Sequence, residues 1–392
     1  MAKRALRIAV VGGGLGGTTA AIMLQRAGHD VKVYEQAPAI DRLGAGIHLF
    51  PNAVMALRGV GLEDTLLARA FLPRHFAQRE WDTGELTFDL RSDQFPTRYG
   101  AHHVILHRGD LQTLLNAALA PGVLHLGKRL VGLDDTASSI RLTFAGGNSA
   151  EADLVVGADG LNSKVREILI GPERATYTGH VAHRAIYPAV RLGGEQVADA
   201  TKWWAEDRYF LSYYLTPQRD ELYVVTGVPQ AWESGTYAPQ PTDLEQFARM
   251  FEGFHSEVQE QIRACPAAVT WPVLYREPRE FWSSGRIVLL GDACHPMKPH
   301  MGQGAAMAME DAAVLGRCIE DCGEDFPAAF RMYEALRFDR TTRVKLESDK
   351  HEWMRYGSDC DWLYGYNAFE VALDAAPKAD MPNRALARVP RG

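Results

Sequence analysis

Compact apolar runs, not alternating ones, open this chain. Residues 6–11 form a strand-length, mainly apolar run, 12–17 a glycine-rich loop, and 18–27 a helix-compatible stretch that Gly28 ends. Residues 31–34 make a second short strand closing on Glu35. Apolar runs without alternation mark strands buried on both faces, as in parallel sheets. The start therefore predicts a βαβ unit of about 30 residues. Short β-prone runs follow at 140–144 and 154–156. Between 176 and 229 the texture changes to longer, alternating, aromatic-rich runs at 180–190, 202–216 and 221–228. These predict a separate antiparallel sheet. Thr242-Asp-Leu-Glu245 has the spacing of a capping box opening a helix to about residue 263. Residues 287–290 return to a buried parallel strand, followed by a second glycine cluster and helices to about Tyr356. The tail, with Pro377, Pro382 and Pro390, is expected to be loosely held.

Composition narrows the class. A chain of 392 residues with 46% hydrophobic content buries a sizeable core as one large or two modest domains. Acidic residues outnumber basic ones by 49 to 42, which argues against a nucleic-acid partner. The five cysteines are scattered, and Cys318-x-x-x-Cys322 lacks a second ligand pair, so reduced thiols and no metal are expected. No run approaches the ~20 apolar residues of a membrane span. Lys3-Arg4 before residues 6–11 does not make a secretory signal, because the run is short and leads into the glycine loop. A cytoplasmic location without a membrane partner is the expectation.

Three glycine-bearing stretches carry chemistry. In Gly12-Gly-Gly14-Leu-Gly-Gly17, Gly12 allows the turn, Gly14 the approach of a pyrophosphate, and Gly17 close helix–strand packing. The phosphate would face a helix N-terminus. Glu35 lies where a carboxylate accepts from a ribose 2′-hydroxyl, as in FAD or NAD. Gly157-Ala-Asp159-Gly160 follows another strand, with Lys164 and Arg166 as nearby cations. Gly291-Asp292 ends a strand where Asp292 can bond a ribitol hydroxyl. Pro299-His300-Met-Gly302-Gln-Gly304 then opens a helix whose free N–H groups can stabilise a reduced flavin.

In this combination and order the chain resembles the single-component flavoprotein aromatic hydroxylases, the family of para-hydroxybenzoate and salicylate hydroxylases. The likeness spans nearly the whole chain. Leu43-Gly-Ala-Gly-Ile-His48, His107-Arg108-Gly-Asp-Leu, Val181-Ala-His-Arg-Ala185, Lys202-Trp-Trp and Gly291-Asp-Ala-Cys-His-Pro-Met-Lys-Pro-His300 resemble its members acting on hydroxylated pyridine carboxylates. The resemblance implies an α/β architecture: a Rossmann-like FAD-binding fold with an inserted mixed or antiparallel β-sheet substrate domain and C-terminal helices. It divides the chain into a discontinuous FAD domain (1–75, 100–175, 280–356), a substrate domain (76–99, 176–279) and an extension (357–392).

By motif, the resemblance assigns Arg42 and Arg108 to the FAD phosphates, Glu35 to the adenosine ribose and Asp292 to the ribitol. Asp159 with Gly160 would serve both flavin and nicotinamide. Leu15, Gln36, Leu130, Pro299, Gly302 and Gly304 complete the implied FAD contacts, with His48 also beside the flavin. His48 would be the base or hydrogen-bond partner of a substrate ring hydroxyl, Tyr213 would orient the ring, and His300 would lie near flavin and substrate carboxylate. Tyr209 and Ala200 should border the ring, at positions where the pyridine-carboxylate hydroxylases carry histidine and cysteine. Packing alone accounts for Tyr213 equally well, since Tyr209, Leu211 and Tyr213 share a strand face. His183 and His295 read as structural histidines, while Arg184 or Lys202 could hold a carboxylate or form surface ion pairs.

The implied activity is an NADH- or NADPH-dependent monooxygenation. Reduced nicotinamide binds transiently, O₂ is co-substrate, and a flavin C4a-hydroperoxide hydroxylates a small aromatic or N-heteroaromatic acid, with or without loss of CO₂. Gly302 and Ala306 depart from the wider family's pattern, which leaves the substrate, not the flavin chemistry, open. A flavin oxidase (with covalent FAD as an option), a dehydrogenase or a halogenase are the competing enzyme readings, although Trp203-Trp204 does not match the halogenase Trp-x-Trp-x-x-Ile-Pro signature. A non-catalytic FAD sensor is the competing non-enzyme reading. The oligomeric state is open, with a homodimer as one option.

Overall fold

A computed structural model describes residues 4–42, 45–136, 138–195, 197–233 and 236–374. The expected prolines at 377, 382 and 390, and Leu43-Gly44 of one family motif, lie outside the described residues.

The chain builds two principal sheets. The first has six strands in the order Ser283–Ser284, Ile287–Leu289, Leu154–Gly157, Arg7–Val11, Asp30–Tyr34, Leu124–His125. All its pairings are parallel except that of the short edge strand Ser283–Ser284. Its inner strands are the compact apolar runs of the sequence: Val10, Val33, Val155, Val156 and Val288 are all fully buried. Helix Leu15–Arg26 starts inside the glycine loop, three residues earlier than the sequence predicts. Gly12, at φ +102°, turns the chain so that Gly14, still extended, becomes the N-cap of the helix.

The second sheet has eight strands, drawn from residues 75–91 and 176–275. Every pairing is antiparallel except Ala200–Trp204 alongside His75–Glu80. The run at 202–216, expected as one strand, is a hairpin of Ala200–Trp204 with Tyr209–Tyr214. Exposed, polar Glu206 and Asp207 supply the turn that period-2 counting passed over. The helix expected from 242 to 263 is also two elements, Leu244–Met250 and Ser256–Ala264. Buried Phe251 and Phe254 and left-handed Gly253 break it. Its cap is Asp243, whose carboxylate accepts from the N–H groups of Glu245 (2.9 Å) and Gln246 (3.1 Å); Thr242 bonds Thr270 instead.

Helices Gly304–Cys322 and Phe326–Asp349 cover the parallel sheet. Within residues 357–374, Leu363, Tyr364 and Ala368 are fully buried. No helix among the described residues is long and apolar enough to cross a membrane.

Candidate active site

A cavity of about 410 Å³ lies between the C-terminal ends of the parallel strands and one face of the eight-stranded sheet. That is ordinary for a cofactor or small-molecule site.

The parallel sheet contributes the cofactor side. Gly14, Leu15 and Gly17 line the wall, as do Gly160, Asp292 and Gly304. Helix Leu15–Arg26 carries no side-chain cap, so its first N–H groups are left for an anion. Two glycines of the loop answer to protein packing: an added Cβ would lie 2.3 Å from the Ala158 carbonyl oxygen at Gly12 and 2.1 Å from that of Gly12 at Gly17. Gly14 differs, because nothing lies within 4 Å of an added Cβ and its φ of −75° suits any residue. Its lack of a side chain serves the cavity. Gly14→Val should therefore fold with near-wild-type stability while FAD affinity falls by about tenfold or more, ~1.4 kcal/mol. Flavin absorbance after gel filtration, beside a melting curve of the apoprotein, checks both halves.

Arg108 follows strand Val104–His107 onto the wall, and among the described residues its guanidinium forms no ion pair. An unpaired cation facing an uncapped helix start suits a pyrophosphate. Arg42 does not share this position. It is off the wall, with Nε donating to Asp110 (2.9 Å) and Nη2 to Glu221 (2.7 Å). Asp292 opens onto the cavity, and surrounding protein raises its carboxyl pKa. Helix Gly304–Cys322 also starts without a side-chain cap, with Pro299 and Gly302 on the adjoining wall.

Several expected cofactor residues stand back from the wall. The Asp159 carboxylate accepts from Ser163 Oγ and the N–H groups of Lys164 (2.7 Å) and Val165 (3.1 Å), so it shapes the turn that presents Gly160. Lys164 pairs with Glu167. Arg166 donates to Glu173 and to the carbonyls of Ala293 and Cys294, so neither offers a cation to the cavity. Glu35 accepts from the N–H groups of Gly13 (2.7 Å) and Ala37 (2.8 Å), bracing the loop from the end of its strand. Gln36 is exposed. The Leu130 side chain is buried in the core, which leaves only its main chain for a cofactor.

The eight-stranded sheet contributes the opposite side. Tyr209, Leu211 and Tyr213 point into the cavity by strand alternation, while Phe210 packs on Phe251 behind them. Ala200 pairs with Tyr213 in the ladder but is fully buried and off the wall, contrary to expectation. His48, in strand Gly46–Leu49, meets the Tyr213 ring edge-on at 4.2 Å. Its Nδ1 contacts His103 Nε2 at 3.0 Å, and its buried Nε2 has no protein partner. Burial lowers its pKa to about 3, so it is a neutral imidazole.

His300 packs on His351 at 4.2 Å and edge-on to Tyr209 at 5.7 Å. His300 Nδ1 and His351 Nε2 are both buried without partners. Lys202 lies on the same wall, 4% exposed, its ammonium 3.5 Å from the Trp204 ring centre and 4.1 Å from that of Tyr209. It forms no ion pair among the described residues, and burial lowers its pKa strongly. Arg184 is on the wall too, stacked on Trp271 with a buried, unpartnered Nε. His351 and His103 escaped the sequence reading, since neither belongs to a motif. His183 and His295 are structural: His183 bonds Thr226 (2.9 Å) and His295 bonds Asp311 (2.6 Å).

A family model described as an FAD binding domain matches residues 5–322. Two curated relatives, the 6-hydroxynicotinate 3-monooxygenases of Bordetella bronchiseptica and Pseudomonas fluorescens, are 47% and 44% identical. The alignments cover 94% of this chain and 97% and 96% of theirs. The chain belongs to the FAD-dependent aromatic hydroxylases. Klebsiella pneumoniae HpxO, solved with FAD and uric acid, superposes with a TM-score of 0.79 at 27% identity, covering 91% of this chain and 90% of that one. A salicylate hydroxylase substrate complex shares the fold, with a TM-score of 0.81 at 23% identity over 93% and 96% of the two chains. As a member of this class the protein is a flavin monooxygenase. The glycine loop, Arg108, Asp292 and the two uncapped helix starts suit FAD. Bound there, FAD would supply the oxygen-activating chemistry.

Proposed function

We propose that the protein hydroxylates a small hydroxylated pyridine or benzene carboxylate, with 6-hydroxynicotinate the leading candidate, using NADH or NADPH and O₂. The observation that carries this is the pairing of a free, neutral imidazole nitrogen (His48) with a buried lysine amine that has no ion-pair partner among the described residues (Lys202) on one cavity wall. Burial without a counter-ion disfavours the charged amine, and an incoming substrate carboxylate restores that charge by pairing with it. Lys202, beside the free nitrogens of His300 and His351, holds the carboxylate. His48 Nε2 takes the ring-hydroxyl proton, raising electron density in the ring before attack. Tyr213 and Tyr209 border the ring, and residues 176–279 act as the substrate-covering part over the FAD-binding part. The names of the curated relatives support the pyridine member of this class. The unpaired cysteines fit a cytoplasmic setting.

The test is a panel of 6-hydroxynicotinate, salicylate and 4-hydroxybenzoate, each with NADH and with NADPH, followed by mass analysis of product and CO₂. Stimulated NADH oxidation with a hydroxylated product is expected for 6-hydroxynicotinate, with CO₂ released if the carboxylate-bearing carbon is attacked. Oxygen uptake without a hydroxylated product would show an oxidase. Lys202→Met should raise KM for the acid about 10- to 100-fold, the worth of one charge-assisted hydrogen bond, ~1.5–3 kcal/mol. An unchanged KM moves the carboxylate to Arg184.

A further inference from the structure

From His48 a file of three buried side chains, His48 included, leads back from the cavity wall. His48 Nδ1 lies 3.0 Å from His103 Nε2, and His103 Nδ1 lies 2.8 Å from Ser92 Oγ. His48, His103 and Ser92 are 8%, 2% and 3% exposed. At the inner end, His48 Nε2 has no protein partner on the cavity side. At the outer end, buried Ser92 is flanked along the chain by exposed Arg91 and Asp93.

The backbone and the aromatic core hold this alignment. Strand Gly46–Leu49 pairs antiparallel with Val104–His107, setting His48 opposite Ile105 and residue 103 just before the partner strand. Phe50 stacks on His103 at 4.3 Å and 15°, and Tyr364 stacks in turn on Phe50 at 4.6 Å and 9°. Such packing fixes the ring plane and leaves both nitrogens of His103 in line with their partners.

We infer that His48, His103 and Ser92 form a proton-exit file, in which the substrate's ring-hydroxyl proton enters at His48 Nε2 while another proton leaves from Ser92. The inference rests on the proposed reading of the site as one that deprotonates a hydroxylated aromatic acid. Two proton arrangements satisfy both hydrogen bonds. In the first, each imidazole carries its proton on Nδ1: His48 donates to His103, His103 donates to Ser92 Oγ, and His48 Nε2 is a free base. In the second, each carries its proton on Nε2: Ser92 donates to His103, His103 donates to His48, and His48 Nε2–H faces the cavity.

Passing from first to second balances as follows. The substrate O–H breaks and His48 Nε2–H forms. The His48 Nδ1–H proton moves to His103 Nε2, and the His103 Nδ1–H proton moves to Ser92 Oγ. The former Ser92 hydroxyl proton passes to surface water. One proton has crossed the wall, and no positive charge stays on either ring. When the hydroxylated product takes its proton back from His48 Nε2, the file runs in reverse and resets. A lone buried histidine would have to hold an imidazolium in an apolar wall, which is costly. His48 is thus the group that touches substrate, while His103 and Ser92 are positioning residues acting through it.

Two measurements on FAD-loaded protein decide this. With histidine labelled in ¹⁵N, 6-hydroxynicotinate binding should switch His48 and His103 together from the Nδ1–H to the Nε2–H tautomer. A His48 imidazolium, or a His103 tautomer that does not respond, overturns the file and needs no variant. In turnover, the wild-type proton inventory in H₂O/D₂O mixtures should bow, because several protons move together. Ser92→Ala should lower kcat about tenfold or more with KM within about twofold and a straight inventory, and Ser92→Thr should restore both. A Ser92→Ala enzyme with wild-type kcat and a bowed inventory overturns the proposal. If wild-type NADH oxidation responds to no acid of the panel, the substrate reading falls and takes the file with it. An active wild type with an unresponsive His103 sinks the file alone.

Discussion

Replacing His48 with alanine will lower turnover of the FAD-loaded enzyme by about 10²–10⁴-fold, the usual worth of a positioned general base, and leave bound flavin at the wild-type level. The separation follows from where His48 sits. It packs on Phe50, Phe76 and Tyr213, and its ring contacts are with aromatic side chains rather than with the glycine loop. A fall in flavin content with unaltered turnover per flavin would instead make His48 a cofactor residue. The pH dependence is a second check. Burial lowers the His48 pKa to about 3, so the base form is present throughout the range above that value. Activity should show no acid limb near 6.5 from this residue. Stability behaves differently: between about 3 and 6.5 the unfolded chain binds a proton that folded His48 does not, so stability declines as pH falls below ~6.5. Activity against pH, beside melting curves over the same range, separates the two.

Much of the cofactor side was legible in the sequence because local pattern determines it. A strand, a glycine turn and a helix start are contiguous, so Gly14, Leu15, Gly17, Gly160, Asp292 and Gly304 come to the wall as their motifs imply. Motif reading failed where a charged side chain had a choice of partner. Arg42 pairs with Asp110 and Glu221, distant in sequence, and the Asp159 carboxylate accepts from the start of helix Lys164–Ile170, no more than six residues away. On the substrate side, alternation correctly put Tyr209 and Tyr213 on one face. It could not tell wall from core for Ala200, since burial there depends on the neighbouring sheet. His103 and Ser92 were invisible for the same reason: the pairing of residues 46–49 with 104–107 brings His103 behind His48, and Ser92 joins through its contact with His103. The break at 251–255 had one local signal, Gly253, which is left-handed here, while the inward turn of Phe251 and Phe254 is set by tertiary packing.

Replacing Arg337 with methionine should cost about 3–5 kcal/mol of stability, on the order of 4–6 °C in Tm for a chain of 392 residues. Arg337 is fully buried, with Nε donating to Asp311 and Nη1 to Glu310, each at 2.7 Å. Glu310 also accepts from Arg340 and from Asn52 of helix Pro51–Gly59, while Asp311 accepts from Gly291 N–H and His295. One guanidinium thus ties two C-terminal helices to a third helix and to the turn carrying Asp292. Methionine fills the volume but leaves Glu310 with only Arg340 and Asp311 with only His295 as ion-pair partners among the described residues, and that lost compensation of buried charge sets the cost. Burial alone would raise the Asp311 pKa, yet His295 and Arg337 hold it at about 2. A depressed carboxyl stabilises the fold above its unfolded pKa near 3.8, and that contribution is lost as pH falls toward 2. The gap between wild type and variant should therefore be widest at neutral pH and narrow below about pH 4. A gap that stays constant with pH would mean that lost packing, not lost charge, is responsible. Because Asp311 anchors Gly291, the variant should also release FAD more readily, in contrast to His48→Ala, which keeps it.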